Sequence, residues 1–298
     1  VKIAVTGGTG FVGSHLIEQA VMAGYAVRAL TRRPQPAQPG ITWIAGSLEH
    51  PASLSTLVEG CAAVVHVAGV VKGDRAAFRK GNLVGTEAML EAAAQAGIRR
   101  FVHVSSLAAR EPQLSAYGWS KCASEEPVIA SGGDWTIIRP AVIYGPRDTE
   151  LLALFRAARF GVVPLPTRGR TSVIAAEDLA RLMLACLADR QSFHRTYEPG
   201  DGMSGGWSQI ALAEAIGAAI GRKVRTVIVP GPLLRAVAFA DSSLRRGKAK
   251  LTRDRAGYYT HPDWVGRAQP PAEVWTPQIE TRAGLAATAK WYRAEGLL

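Results

Sequence analysis

A turn of glycines between a short apolar run and a helix limits this chain more than any other feature. Ile3 to Val5 reads as a strand buried on both faces, and it runs straight into Thr6-Gly7-Gly8-Thr9-Gly10. Phe11, Val12, Leu16 and Ile17 then recur at helical spacing. Gly7 permits a tight turn, Gly10 lets backbone N–H groups approach a pyrophosphate, and Gly13 lets helix and strand pack closely. The first turn of such a helix offers unpaired N–H donors and the positive end of its dipole to phosphate. Glycine triplets also occur in ordinary turns. It is the succession of strand, turn and helix that points to a dinucleotide.

Downstream, short apolar strands keep alternating with helices. Strands are expected at 25–31, 41–45, 62–67, 101–105 and 135–139, and helices at 51–59, 75–96 and 115–130. The alternation predicts an α/β fold, a doubly wound parallel sheet of the Rossmann kind, over residues 1–165. Residues 166–298 are expected to form a smaller, mainly substrate-binding cap over the mouth of the sheet, with 171–188 able to return to it. Within that half the pattern predicts helices at 150–160, 177–188, 207–220 and 232–240 and strands at 171–175 and 224–229. Phe155, Phe160, Phe239 and the aromatic tail suggest an apolar or aromatic substrate.

The 298 residues carry a formal net charge of +11. The cations are spread, densest at 28–33 and 245–255, and no basic motif interleaved with aromatics accompanies them. Nucleic acid is therefore not an expected partner, and an anionic cofactor or substrate accounts for the balance. Cys61, Cys122 and Cys186 form no C-x-x-C pair and the six histidines show no ligand spacing, so no metal site is expected and a reducing cytoplasm fits. No signal peptide is read ahead of the first strand, and no window of about 18 uncharged apolar residues exists to span a membrane. The expectation is a cytoplasmic protein with a small-molecule substrate and no integral membrane segment. The stretch 232–240, followed by Arg245, Arg246 and Lys248, also has the pattern of an interfacial amphipathic helix. A lid or plain core is the expectation preferred for it.

The end of the second strand bears on which dinucleotide is held. An acid there accepts from a ribose 2′-OH, whereas arginine accommodates a 2′-phosphate. Thr31 is followed by Arg32 and Arg33, with no acid within several residues. A planar guanidinium matches phosphate in a bidentate manner. NADP is therefore expected ahead of NAD, the alternative being two solvated loop charges.

A second constellation lies at Tyr117-Gly-Trp-Ser-Lys121. Residues four apart share a helix face, so phenol and ammonium are expected in one cleft. A free tyrosine near pKa ~10 is a poor acid–base at neutral pH, and a neighbouring cation lowers it. Ser105-Ser106 ends a predicted parallel strand, where a hydroxyl can hold a substrate oxygen while the tyrosine exchanges its proton.

Together these segments resemble the extended short-chain dehydrogenases/reductases, of the NAD-dependent epimerase/dehydratase type. The matching stretches are Thr6-Gly-Gly-Thr-Gly-Phe-Val-Gly13, Val65-His-Val-Ala-Gly69, Asn82-Leu-Val-Gly-Thr86, Phe101-Val-His-Val-Ser-Ser106, Tyr117-x-x-x-Lys121 and Arg139-Pro-Ala-Val-Ile-Tyr-Gly-Pro146. The resemblance implies that Tyr117 is the acid–base, that Lys121 lowers its pKa and holds the nicotinamide ribose, and that Ser106 orients the substrate oxygen. It implies cofactor contacts at Gly7, Thr9, Gly10, Phe11, Val12 and Gly13, and at Val67, Ala68, Gly69 and Asn82. Val104 and Ser105, and Pro140, Ala141 and Val142 near the carboxamide, complete them. A homodimer is a family-level expectation.

Two departures stand out. The family's Gly-Asp-Leu after the third strand is here Gly46-Ser47-Leu48, so Ser47 and Leu48 are the adenine-side candidates. The strand that clamps a nucleotide diphosphate in nucleotide-sugar enzymes is here Gly169-Arg-Thr-Ser-Val-Ile-Ala175, with Arg170 out of register. Gly24-Tyr-Ala-Val-Arg-Ala-Leu-Thr-Arg32 is similar instead to the dihydroflavonol reductase and hydroxysteroid dehydrogenase branch. An oxidoreductase acting on a carbonyl or secondary alcohol leads. A nucleotide-sugar epimerase/dehydratase and a non-catalytic cofactor-binding scaffold are the alternatives.

Overall fold

The computed structural model describes residues 1–233, 236 and 253–298. Most of the helix expected at 232–240, Phe239 and the basic residues 245–250 lie outside the described residues.

Seven strands form the central sheet. They are β1 (Lys2–Thr6), β2 (Ala26–Thr31), β3 (Ile41–Ala45), β4 (Ala63–His66), β5 (Arg100–Val104), β6 (Asp134–Ile138) and a late arrival, Arg195–Tyr197. The order is β3-β2-β1-β4-β5-β6 and then Arg195–Tyr197, every pair parallel. The chain starts mid-sheet, winds out to β3, then crosses back past β1 to β4. The carboxyl ends of β1 and β4 therefore flank a switch point, the crevice where open α/β sheets take ligands.

Strand alternation decides what each face buries. Ile3 and Val5 face Leu16 and Ile17 of α1 (Phe11–Met22), together with Leu179 and Met183. Ala4 and Val64 face the opposite side, among Leu54, Leu57, Met89 and Phe101. Both faces are covered, which is why the strands read as unbroken apolar runs. Each such side chain, fully buried, contributes about 1.5–3 kcal/mol.

Past β6 the chain leaves the sheet and partly returns. Val142–Tyr144 pairs in parallel with Val173–Ala175 as a separate two-stranded unit. The helix Ala176–Ala188 then packs beside α1 on the main sheet. The seventh strand, Arg195-Thr-Tyr197, is three residues long and lacks an apolar run, so no local pattern announces it. A second core gathers Tyr144, Phe155, Val163, Leu165, Trp207 and Ile216, closed by Leu285 and Tyr292 of the helix Thr281–Ala294. There Val162–Leu165 pairs in parallel with Arg225–Ile228. The strand expected at 171–175 is split at Ser172, because Arg170–Thr171 pairs elsewhere, with Trp207–Ser208 and Asp263–Trp264. The helix expected from 207 begins at Gln209, where the Ser208 hydroxyl accepts from Ala211 N.

Candidate active site

The glycine turn has the geometry that its residues require. Gly7 adopts φ 75°, and a Cβ there would sit 2.7 Å from the Ala68 nitrogen. A Cβ at Gly13 would lie 2.1 Å from the Gly7 carbonyl oxygen, so only glycine lets α1 start this close to β1. At Gly10 a Cβ would meet only that same oxygen, at 3.2 Å, leaving its outer side open. Gly10 precedes α1 without a side-chain cap, and the first turn holds no acid. Those amide donors remain for an anionic group, and Thr9 and Gly10 are exposed while Phe11 and Val12 are half-buried. These residues fit a dinucleotide pyrophosphate.

At the end of β2 the Thr31 hydroxyl donates to Arg33 O at 2.6 Å and accepts from Arg33 N at 3.2 Å. That turn leaves both Arg32 and Arg33 exposed. The Ser47 hydroxyl lies 2.7 Å from His50 Nδ1 and accepts from Glu49 N, while Leu48 packs on Gly85. After β4, Val67, Ala68 and Gly69 run from the glycine turn toward the lysine. Ala68 N donates to Thr6 Oγ1, and a Cβ on Gly69 would lie 3.2 Å from Asn82 Oδ1 and 3.8 Å from Lys121 Nζ.

Asn82 sits in a stretch, Arg79–Val84, wound as a π-helix between Arg75–Phe78 and Gly85–Gln95. Its Oδ1 accepts from Val70 N at 2.6 Å, and its Nδ2 donates to Val70 O at 3.0 Å and to Ser120 Oγ at 2.8 Å. The amide is thereby locked as a clamp on the loop after β4.

Tyr117 and Lys121 share a face of α5 (Ala116–Ala130). The Ser106 hydroxyl lies close enough to the Tyr117 phenol to act on it, and Ser106 Oγ accepts from Ala108 N. Lys121 is buried and donates to Val104 O at 2.8 Å. Burial lowers its ammonium to about 8, against the opposing pull of Glu125. Burial raises the Tyr117 phenol, with the Ser106 hydrogen bond and the charge of Arg255 acting the other way. The cation whose charge bears on the phenol is thus Arg255, while Lys121 is engaged with a carbonyl.

Beneath this set runs a line of charges. Ser105 Oγ donates to Glu125 Oε1 in a short hydrogen bond. Arg139 holds both Glu125 oxygens, at 2.9 and 2.5 Å, and reaches Glu198 Oε1 at 3.5 Å. Glu198 in turn pairs with Arg110 at 3.7 Å. The neighbouring Pro140 carbonyl accepts from Leu107 N, and beyond Ala141, Val142 N donates to Ser172 O.

Aromatic rings close in on Tyr117, with Phe78 at 5.8 Å and Tyr258 at 6.1 Å between centroids. Tyr258 continues to Tyr259 and Trp264. The helix Arg253–Tyr259 is held over α5 by Asp254, which accepts from Ala116 N at 2.5 Å. Arg255 pairs with Glu150 at 2.9 Å, and Glu150 with Lys72 at 2.8 Å. Sequence reasoning missed Asp254, Arg255, Glu150 and Lys72, which come from the helix Arg253–Tyr259 and two separate loops and share no spacing. Glu125 did carry a signal, as it follows Lys121 by four on the same helix face. Phe155 is buried against Tyr292 and does not line this space, and Phe160 is exposed. Among the described residues no group of three or more His, Cys, Asp or Glu is placed to hold a metal ion.

Comparison with known proteins agrees with this geometry. Residues 7–190 match a family described as NAD(P)H-binding. The chain is 36% identical to a ceramide reductase of Caulobacter vibrioides, over 99% of this chain and 96% of that protein. It is 35% identical to a 4-hydroxy-2-methyl-3-oxo-4-farnesyl-3,4-dihydroquinoline-1-oxide ketoreductase of Stigmatella aurantiaca, over 52% of this chain and 55% of that one. Among solved structures, the UDP-glucuronic acid 4-epimerase of Bacillus cereus in complex with NAD shares the fold, with a TM-score of 0.75 at 16% identity over 99% of both chains.

Proposed function

The chain belongs to the NAD(P)H-binding family, within the extended short-chain dehydrogenase/reductase superfamily, and on that premise we propose that it is an NADP-dependent reductase of a carbonyl group on a ceramide-type lipid. The observation that carries this is the Ser106, Tyr117 and Lys121 set at the carboxyl end of β5, with Tyr117 and Lys121 on one helix face and Lys121 buried and donating to Val104 O. Gly7 to Gly13 would hold the pyrophosphate, Arg32 and Arg33 would meet the 2′-phosphate, and Lys121 would bind the nicotinamide ribose. NAD is the alternative cofactor. A bound reduced nicotinamide supplies the hydride.

The chain's own part is proton handling. Ser106 holds the substrate oxygen, and the Tyr117 phenol, kept protonated by burial, delivers the proton to it. Ser106 and the Arg255 charge stabilise the phenolate left behind. Phe78, Tyr258 and Tyr259 keep the reacting oxygen out of water. The match to a ceramide reductase along nearly all of both chains supports both the direction and the substrate class. The epimerase reading has less support, because the Arg170 guanidinium is engaged with the carbonyls of Gly205 and Gly206 at 2.6 Å each.

The test is loss of reduced-nicotinamide absorbance with a keto-ceramide substrate. Tyr117→Phe is expected to lower kcat by about 10²–10⁴-fold while NADPH affinity stays near that of the parent. Comparable turnover in that variant sinks the assignment.

A further inference from the structure

One surface of the C-terminal region is apolar and cationic at once, and nothing in the catalytic reading uses it. Val162–Leu165 and Arg225–Ile228 pair with Val162 opposite Arg225 and Pro164 opposite Val227. Strand alternation turns Val163 and Leu165 into the second core, and it turns Val162, Pro164, Arg225 and Val227 outward. Val162 is 45% exposed and Val227 51% exposed. The chain adds Phe160 at one end of this ribbon, 86% exposed, and Leu233 at the other, 54% exposed. Phe160 is the most exposed large apolar side chain among the described residues. Such side chains on one short element mark an interaction surface, whereas scattered single ones do not.

The charges around it select the partner. Arg159, Arg222, Lys223 and Arg225 are all exposed on the segments that carry these apolar residues. The acid beside them is Glu214, which shares a shallow hollow with Arg222 and Lys223. Apolar side chains that can enter the acyl boundary, ringed by cations that meet headgroup phosphates, match an anionic bilayer surface.

We propose that the outer face of the Val162–Leu165 and Arg225–Ile228 pair is a docking surface for anionic lipid bilayers, inserting Phe160, Val162, Val227 and Leu233 among the headgroups. The docking is peripheral. No helix among the described residues is long and apolar enough to cross a membrane. The inference stands independently of the reductase reading, although a lipid substrate gives such docking a purpose.

The experiment is cosedimentation of the full chain with vesicles of phosphatidylcholine alone or mixed with an equal part of phosphatidylglycerol. Binding is expected to the mixed vesicles, falling as salt rises. Two double variants test the two components, Phe160→Ser with Val227→Asp and Arg222→Gln with Lys223→Gln. Each is expected to weaken binding at least about tenfold, with NADPH affinity and melting temperature unchanged because all four side chains are exposed. Absence of binding to the mixed vesicles overturns the proposal, as does undiminished binding in either double variant. So does a dimer, seen by ultracentrifugation, that Val227→Asp dissociates while no vesicle binding is found. A chain that docks but turns over no ceramide keeps this proposal and removes the substrate assignment instead.

Discussion

Arg139 grips both oxygens of Glu125, at 2.9 and 2.5 Å, and the carboxylate so held also accepts from Ser105, the residue before Ser106. Glu125 is buried, so removing the cation strands a charge. Arg139→Leu is expected to cost about 3 kcal/mol in urea unfolding. Adding Glu125→Leu to it is expected to recover part of that loss, because an apolar pair of similar volume leaves no stranded charge. Strictly additive losses would show that the two side chains do not act as a unit.

Two glycines of the turn, Gly13 and Gly10, separate stability from binding. Gly13→Ala forces a Cβ against the Gly7 carbonyl, so both the melting temperature and NADPH affinity are expected to fall, the strain costing about 1–3 kcal/mol. Gly10→Ala meets far less and is expected to keep stability within about 1 kcal/mol. Its methyl group meets only the Gly7 carbonyl oxygen and otherwise occupies open space, where the pyrophosphate is proposed to lie, so NADPH binding is expected to weaken at least about tenfold. Fluorescence titration and thermal melting on the same samples check both, and unchanged binding in Gly10→Ala would remove the pyrophosphate from this turn.

Arg32 sets the cofactor preference if its guanidinium meets the 2′-phosphate. A charge-assisted hydrogen bond of about 1.5–3 kcal/mol corresponds to about 10–100-fold in affinity. Arg32→Gln is expected to lose that much for NADPH and little for NADH. Equal losses for both cofactors would assign the arginine to general attraction.

The pH profile reports Lys121. Its ammonium is lowered to about 8, so the charge is present below that value and lost as pH rises through it. In the reductive direction kcat/KM is expected to be level near neutrality and to decline above about pH 8, approaching tenfold per unit. Lys121→Arg, whose charge persists, is expected to move the break upward, with cofactor affinity measured in parallel to show that the site is intact. A profile unaltered by this change would place the controlling group elsewhere.

The central sheet was legible because local patterns encode it, and so was the placing of Tyr117 and Lys121, proposed as catalytic, on one helix face. Buried parallel strands write themselves as apolar runs, and Tyr117 and Lys121 announce their shared face by spacing. What escaped depends on contacts distant in sequence. Arg195–Tyr197 becomes a strand only because β6 offers an open edge. Arg255 and Glu150 pair across a separation of 105 residues, and no periodicity relates them. The pKa expectation for Tyr117 failed to anticipate burial, because spacing gives direction along a helix and says nothing of what lies above it.

The π-wound turn at Arg79–Val84 holds one residue more than regular winding accommodates. Deleting a residue there would restore the α-helical repeat and swing Arg75–Phe78 about 100° around the axis relative to Gly85–Gln95. Phe78 would leave the tyrosine ring it now adjoins, and another side chain would take its place. The ring set against Tyr117 is therefore written in chain length as well as in residue identity. A relative one residue shorter at this point would set a different side chain beside that tyrosine with Ser106, Tyr117 and Lys121 unchanged.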